Sequence, residues 1–178
     1  PQDVTALPGL GINWQLAFVL AILFGAVLGF INGWLIVRSG LSGFIVTLGT
    51  MGVFSGSMYI ITKVKAFRNL PEGFMEFGKM KYFDLFSPLV LIMLGVVAFL
   101  FFYLRGTTPG RQLLATGANR RAAQASGIQV NRIVITTHML SAALAGLAGI
   151  MLAARIGSAI PTIGTGGGGD WLLPSFAA

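Results

Sequence analysis

The chain has 178 residues, of which 55% are hydrophobic and 10% charged, with a mean hydropathy of +0.83. Soluble domains carry roughly 25% charged residues, so this surface is too poorly charged for a soluble monomer, and an integral membrane protein is what remains. The absence of cysteine excludes disulfide frameworks, thiolate metal sites and cysteine nucleophiles, and a single histidine, His138, excludes a multi-histidine metal site within the chain. The formal charge of +7 is read as a matter of membrane topology rather than of nucleic-acid binding, because short basic loops are held on the cytoplasmic side.

Taken in order, the chain predicts an all-α, polytopic helix bundle with four spans. Residues 13–37 contain no ionisable group and exceed the roughly 30 Å hydrocarbon thickness as a helix. Residues 41–62 form the second span, separated from the first by Arg38, Ser39 and Gly40, which predicts a tight antiparallel hairpin. Residues 85–104 form the third, with Pro88 in its first turn, where a missing amide proton costs little. Residues 133–154 form the fourth. Residues 171–178 are apolar but too short to cross, and with Pro1 at the other end they lead to the expectation of an internal fragment of a longer protein.

Two polar connections differ in character. Residues 63–84 mix Lys63, Lys65, Arg68, Lys79 and Lys81 with Glu72, Glu76 and Asp84, whereas residues 105–132 hold Arg105, Arg111, Arg120, Arg121 and Arg132 without an acid. Placing the all-arginine segment inside leaves six basic residues on each side, so charge counting alone does not choose the orientation.

Small residues recur at helical spacing in the spans: Gly25, Gly29 and Gly33 four apart in the first, Ala142/Gly146 and Ala145/Gly149 in the fourth, and Gly49, Gly52 and Gly56 three and four apart in the second. Such stripes let helix backbones approach closely where lipid offers no hydrophobic drive. Polar groups inside spans are the other pointers, since each needs a partner: Asn32, Thr47, Thr50, Ser55, Ser57, Thr136, Thr137, His138 and Ser141. For the hydroxyls a bond back to the carbonyl one turn earlier is the ordinary use. His138, about a turn and a half from Arg132, reads as an interfacial side chain rather than a proton relay, and no acid lies in the spans to pair with it.

No catalytic constellation is present. Gly164 to Gly169 formally matches a dinucleotide fingerprint, but no strand precedes it and no acid follows at the required distance. A Walker phosphate loop, H-E-x-x-H and G-x-S-x-G are likewise missing. Residues Thr116 to Gly127 read instead as a short helix of about two turns, with Asn119 able to cap its start and Gly127 suited to a left-handed stop. Its arginines, Arg120 and Arg121, suit either lipid headgroups or a soluble partner's carboxylates.

The run GRQLLATGANRRAAQASGIQVNRIVITTHMLSAALAGLAGIMLAARIGSAIPTIGTG, from Gly110 to Gly166, closely resembles the permease subunits of ribose-type ABC sugar importers. The hairpin from Gly29 to Thr62 is similar to the same family's central spans. The resemblance implies a ten-span permease, of which this chain would be roughly the middle half, paired with a second permease copy in the bacterial inner membrane. A cytoplasmic ATP-binding subunit would hydrolyse ATP and a periplasmic binding protein would deliver the sugar, so this chain would bind no cofactor and be no enzyme. It also implies that Gly117, Asn119, Arg120, Arg121, Ala122, Ala123, Ser126, Gly127 and Ile128 dock the ATPase. The segment 105–132 is then cytoplasmic, and 63–84 and 155–170 are periplasmic. Phe44, Thr47 and Leu48 match a pathway-lining stretch, and Pro161, Thr162, Gly164, Thr165 and Gly166 match a periplasmic re-entry region, from which Gly167 to Gly169, Asp170 and Trp171 depart. A branched-chain amino-acid permease and a stand-alone structural membrane protein are the competing readings. Zwitterionic cargo asks for counter-charges that the spans lack.

Overall fold

The computed structural model describes residues 14–63, 65, 73–74, 78 and 87–161. Six helices follow one another in these residues: α1 (Trp14–Ser39), α2 (Gly43–Thr62), α3 (Pro88–Gly106), α4 (Thr108–Ala118), α5 (Arg120–Ala125) and α6 (Val130–Ile156). Four of them, α1, α2, α3 and α6, are long and apolar enough to cross a bilayer, each within three residues of the span predicted for it. The segment taken as one loop, 105–132, is shorter and more ordered than expected. Its ends belong to α3 and α6, and its middle forms two helices.

Local chemistry sets the boundaries. Gly40, at φ 67°, turns the chain after α1, and Lys63, at φ 50°, ends α2 in the same left-handed region. Ser87 caps α3 by accepting the Leu89 amide at 3.4 Å, with Pro88 in the first turn. Gly157, at φ 73°, closes α6 with its amide on the Ala153 carbonyl at 2.9 Å.

The core of the described residues is the antiparallel pair α1 and α6. Gly25, Gly29 and Gly33 are buried and lie directly against the backbone of Ala142, His138 and Ile135. Gly146 of α6 reciprocates against α1. A Cβ on Gly146 would stand 2.6 Å from the Ala21 carbonyl oxygen. The first-span stripe therefore does what small-residue spacing predicts. The Arg38 turn and the α4–α5 segment consequently come out at the same end of this pair, since α1 ends where α6 begins. At the opposite end Phe74 is buried with its ring 5.9 Å from that of Phe18, and Gly78 packs on the backbone of Ala154.

The hairpin expected of α1 and α2 is loose rather than tight: α2 touches α1 sparsely, with Gly43 facing Ile36 beside the connecting turn. The Gly49, Gly52 and Gly56 stripe meets no described neighbour within 4 Å of an added Cβ, and neither does Gly149. Spacing alone shows that a face is smooth; whether a helix lies on it depends on where the other helices go. Large apolar side chains such as Phe24, Ile60 and Phe102 face outward, which suits lipid or further helices rather than water.

Candidate functional site: the folded segment between α3 and α6

Thr107 belongs to two helices at once. Its hydroxyl donates to the Tyr103 carbonyl at 2.6 Å and accepts the Gly110 amide at 3.2 Å, so it finishes α3 and caps α4. Gly110 is buried against the backbone of Tyr103 and Leu104, which folds α4 back onto the end of α3 with no room for a side chain. Asn119 makes the next joint. Its amide donates to Ala115 at 3.1 Å and its side-chain oxygen accepts the Ala122 amide at 3.0 Å, closing α4 and opening α5.

The end of α5 is fixed as firmly. Gly127, at φ 81°, reverses the backbone, its amide bonding Gln124 at 3.0 Å while the Ile128 amide returns to Ala123 at 3.1 Å. Paired returns of this kind satisfy carbonyls that a helix end leaves open. Ala123 (4% exposed) and Val130 (2%) hold the inner side of this turn, with Ile133 (8%) below them. The short helix read within Thr116 to Gly127 starts at its Asn119 cap and stops at Gly127 as expected, while Thr116 to Ala118 belong to α4 and α5 has six residues. The extended backbone of Asn119 (φ −155°, ψ 104°) is what separates them.

The residues carried over from the resemblance fall together here. Arg120, Arg121, Ala122, Ser126 and Gly127 are exposed on α5 and its stop, Gly117 and Asn119 are exposed just before it, and Ile128 is half-buried behind it. Ala123 faces inward and serves packing rather than contact. The Thr-Thr-Pro-Gly sequence at 107–110 is the signal by which α4 was legible, a hydroxyl cap followed by proline in the first turn. Gln112, Gln129 and Arg132, which line a polar hollow of about 330 Å³ with Gly127 and Ile133, carry no motif and were not singled out together.

Phe44, Thr47 and Leu48 lie together on α2, with Phe44 and Leu48 exposed. The Thr47 hydroxyl donates to the Gly43 and Phe44 carbonyls at 2.9 and 3.1 Å. Of the re-entry residues, Pro161 is buried in a turn, and Thr162, Gly164, Thr165 and Gly166 lie outside the described residues, as do the segments 63–84 in large part and 162–170. The hydroxyls of Thr50, Ser57, Thr136 and Thr137 bond carbonyls of their own helix, as predicted. His138 likewise turns inward on itself, Nδ1 donating to the Val134 carbonyl at 2.8 Å. Asn32 is the exception: its side-chain oxygen is buried and meets no hydrogen-bond partner among the described residues.

These features define a multi-pass helical membrane protein in which a compact, basic, two-helix segment is joined by capped turns to the ends of two spans. Residues 4–178 match the family described as branched-chain amino acid transport system / permease component, and the chain belongs to that family. It is 30% identical over 177 residues to the autoinducer 2 import system permease protein LsrD of Salmonella typhimurium, covering 95% of this chain and 51% of that protein. It is 33% identical over 150 residues to the D-allose transport system permease protein AlsC of Escherichia coli, covering 84% and 46%. The LsrD protein of Yersinia enterocolitica is 29% identical over 174 residues, covering 94% and 51%. The chain thus spans about half the length of the curated relatives it matches. No solved structure matches it.

Proposed function

We propose that this chain forms part of the membrane-spanning permease subunit of an ATP-driven importer that carries a monosaccharide such as ribose across the bacterial inner membrane. Family membership and relatives named for autoinducer 2 and D-allose import support this reading. The observation that carries it is the construction of α5: a short exposed helix, capped by Asn119 and stopped by Gly127, joined at both ends to spans. Gly117, Asn119, Arg120, Arg121, Ala122, Ser126, Gly127 and Ile128 form the surface that docks a cytoplasmic ATP-binding subunit, with Ala123 beneath them.

Force applied to α5 has two exits. Through α4 it reaches α3 at the Gly110 seat, and through Val130 and Ile133 it enters α6. Because α6 is locked to α1 by backbone contact, the two move as one body. ATP-driven closure of the partner subunits would then tilt these spans and switch the open side of the pathway, a rigid-body transition of a bistable bundle. Phe44, Thr47 and Leu48 on the less constrained α2 would line that pathway, and Pro161, Thr162, Gly164, Thr165 and Gly166 would form the periplasmic re-entry region. A second permease copy and a periplasmic sugar-binding protein complete the assembly. ATP is held and hydrolysed by the partner, and no covalent chemistry falls to this chain. The family's description also supports a second reading, a branched-chain amino-acid permease, against which stands the lack of any Asp, Glu, Lys or Arg in the four spans away from their ends.

The test is co-purification of the full-length protein with its cognate ATPase, unsubstituted and with Arg120→Glu and Arg121→Glu together. Loss of the complex on charge reversal supports the docking assignment. Retention moves the contact elsewhere, and failure of the unsubstituted protein to bind any ATPase sinks the importer reading.

A further inference from the structure

We propose that the hollow lined by Gln112, Gln129 and Arg132 is a binding site for the phosphate headgroup of an anionic phospholipid. The two carboxamides and the guanidinium come from α4, the α5–α6 turn and the first turn of α6, around a floor at Ile133. All three side chains can donate hydrogen bonds, and the guanidinium carries a fixed positive charge suited to phosphate oxygens.

No acidic side chain stands among the described residues to supply a counter-charge. No acidic residue occurs between Asp3 and Glu72 or between Asp84 and Asp170. Phe74 and Gly78, which follow α2 and precede α3, lie at the other end of the α1–α6 pair, where Phe74 meets Phe18 and Gly78 meets Ala154. On α6, Ala154 at that end is 22 residues from Arg132, about 33 Å at the rise of an α-helix. At the near end Arg38, Arg105, Arg111, Arg120, Arg121 and Arg132 gather with no carboxylate in their segments.

Position selects a lipid over a soluble protein's carboxylate. Arg132 is the third residue of a membrane-crossing helix, so its guanidinium lies at headgroup level, where long basic side chains reach toward phosphates. Arg120 and Arg121, by contrast, stand on the projecting α5. Basic hollows between span ends are recognised lipid-headgroup sites.

The site can be read without any ATPase, so its fate is separate from that of the importer reading. The full-length protein, purified in mild detergent, is equilibrated with phosphatidylglycerol, with phosphatidylcholine, or with inorganic phosphate, and bound lipid is counted by native mass spectrometry. Phosphatidylglycerol is expected to be retained over phosphatidylcholine, and Arg132→Gln to lower its occupancy roughly fivefold, the effect of one arginine near an anionic surface. Gln129→Leu, which changes no charge, is expected to lower it also, and Arg111→Gln, outside the hollow, to leave it unchanged. Gln129 and Arg132 are exposed, so neither change opens the core, and Gln129→Leu stands as the reading should Arg132→Gln fail to fold. Equal retention in Arg132→Gln and the unsubstituted protein overturns the proposal. So does competition by inorganic phosphate as effective as by lipid, which marks a free-anion site. Unchanged lipid with lost ATPase binding in Arg132→Gln assigns the hollow to a protein carboxylate instead.

Discussion

The Cα of Gly29 on α1 faces the carbonyl of His138 on α6 so closely that a Cβ at position 29 would overlap the carbonyl oxygen and stand 2.8 Å from the Ala142 Cβ. The same histidine turns its ring nitrogen to the Val134 carbonyl of its own helix. Two helices that share no hydrophobic drive in lipid are thus held by dispersion at close range.

Gly29→Val is therefore expected to separate the pair. Backbone cannot shift cheaply on either side, and overpacking of this kind costs about 1–3 kcal/mol or more. Gly52→Ala, where an added Cβ meets no described neighbour, is the matched control. Thermal unfolding of the purified full-length protein should show a lowered Tm for Gly29→Val and little change for Gly52→Ala; equal Tm values would dissolve the α1–α6 seam.

Gly127→Val addresses the stop of α5. A β-branched residue at φ 81° is strongly disfavoured, by about 1–2 kcal/mol or more, whereas Asn tolerates the left-handed region. Under the proposed function, uptake and substrate-stimulated ATP hydrolysis by the full-length protein with its ATPase are expected to fall in Gly127→Val and to be largely kept in Gly127→Asn. Unchanged activity in the valine variant would remove α5 from the coupling route.

Asn119 offers a finer probe of the same joint. Asn119→Ala deletes the cap on Ala122, worth about 1 kcal/mol, and Asn119→Asp retains it. Affinity for the ATPase should weaken with alanine and recover with aspartate. If both variants bind alike, the separation of α4 from α5 plays no part in docking.

Asn32 carries a buried oxygen with no described partner, an arrangement that costs roughly 1–3 kcal/mol when truly unsatisfied. Asn32→Leu is expected to leave Tm unchanged or raised. A drop in Tm would reveal a donor beyond the described residues, and lost uptake with an intact fold would place Asn32 on the transport pathway.

How much of this was legible in the chain differs from element to element. The four spans followed from length and hydropathy because a bilayer imposes both on any helix that crosses it. The joints at Asn119 and Gly127 were equally legible, since a cap and a left-handed stop are chosen by local backbone chemistry. Thr107 and Pro109 held a similar signal for α4, which the reading of one continuous loop passed over.

What the chain did not determine was which smooth face finds a neighbour. Gly25, Gly29 and Gly33 on one span and Gly49, Gly52 and Gly56 on another have the same character, yet only the first stripe is occupied in the described structure. Nor does any pattern announce that Gln112, Gln129 and Arg132 line one hollow, because they come from three elements whose meeting depends on how α4 folds back at Gly110. Periodicity acts along a single helix and was sufficient for spans and caps; the pairing of faces depends on contacts between segments far apart in sequence, and that was left to the tertiary structure.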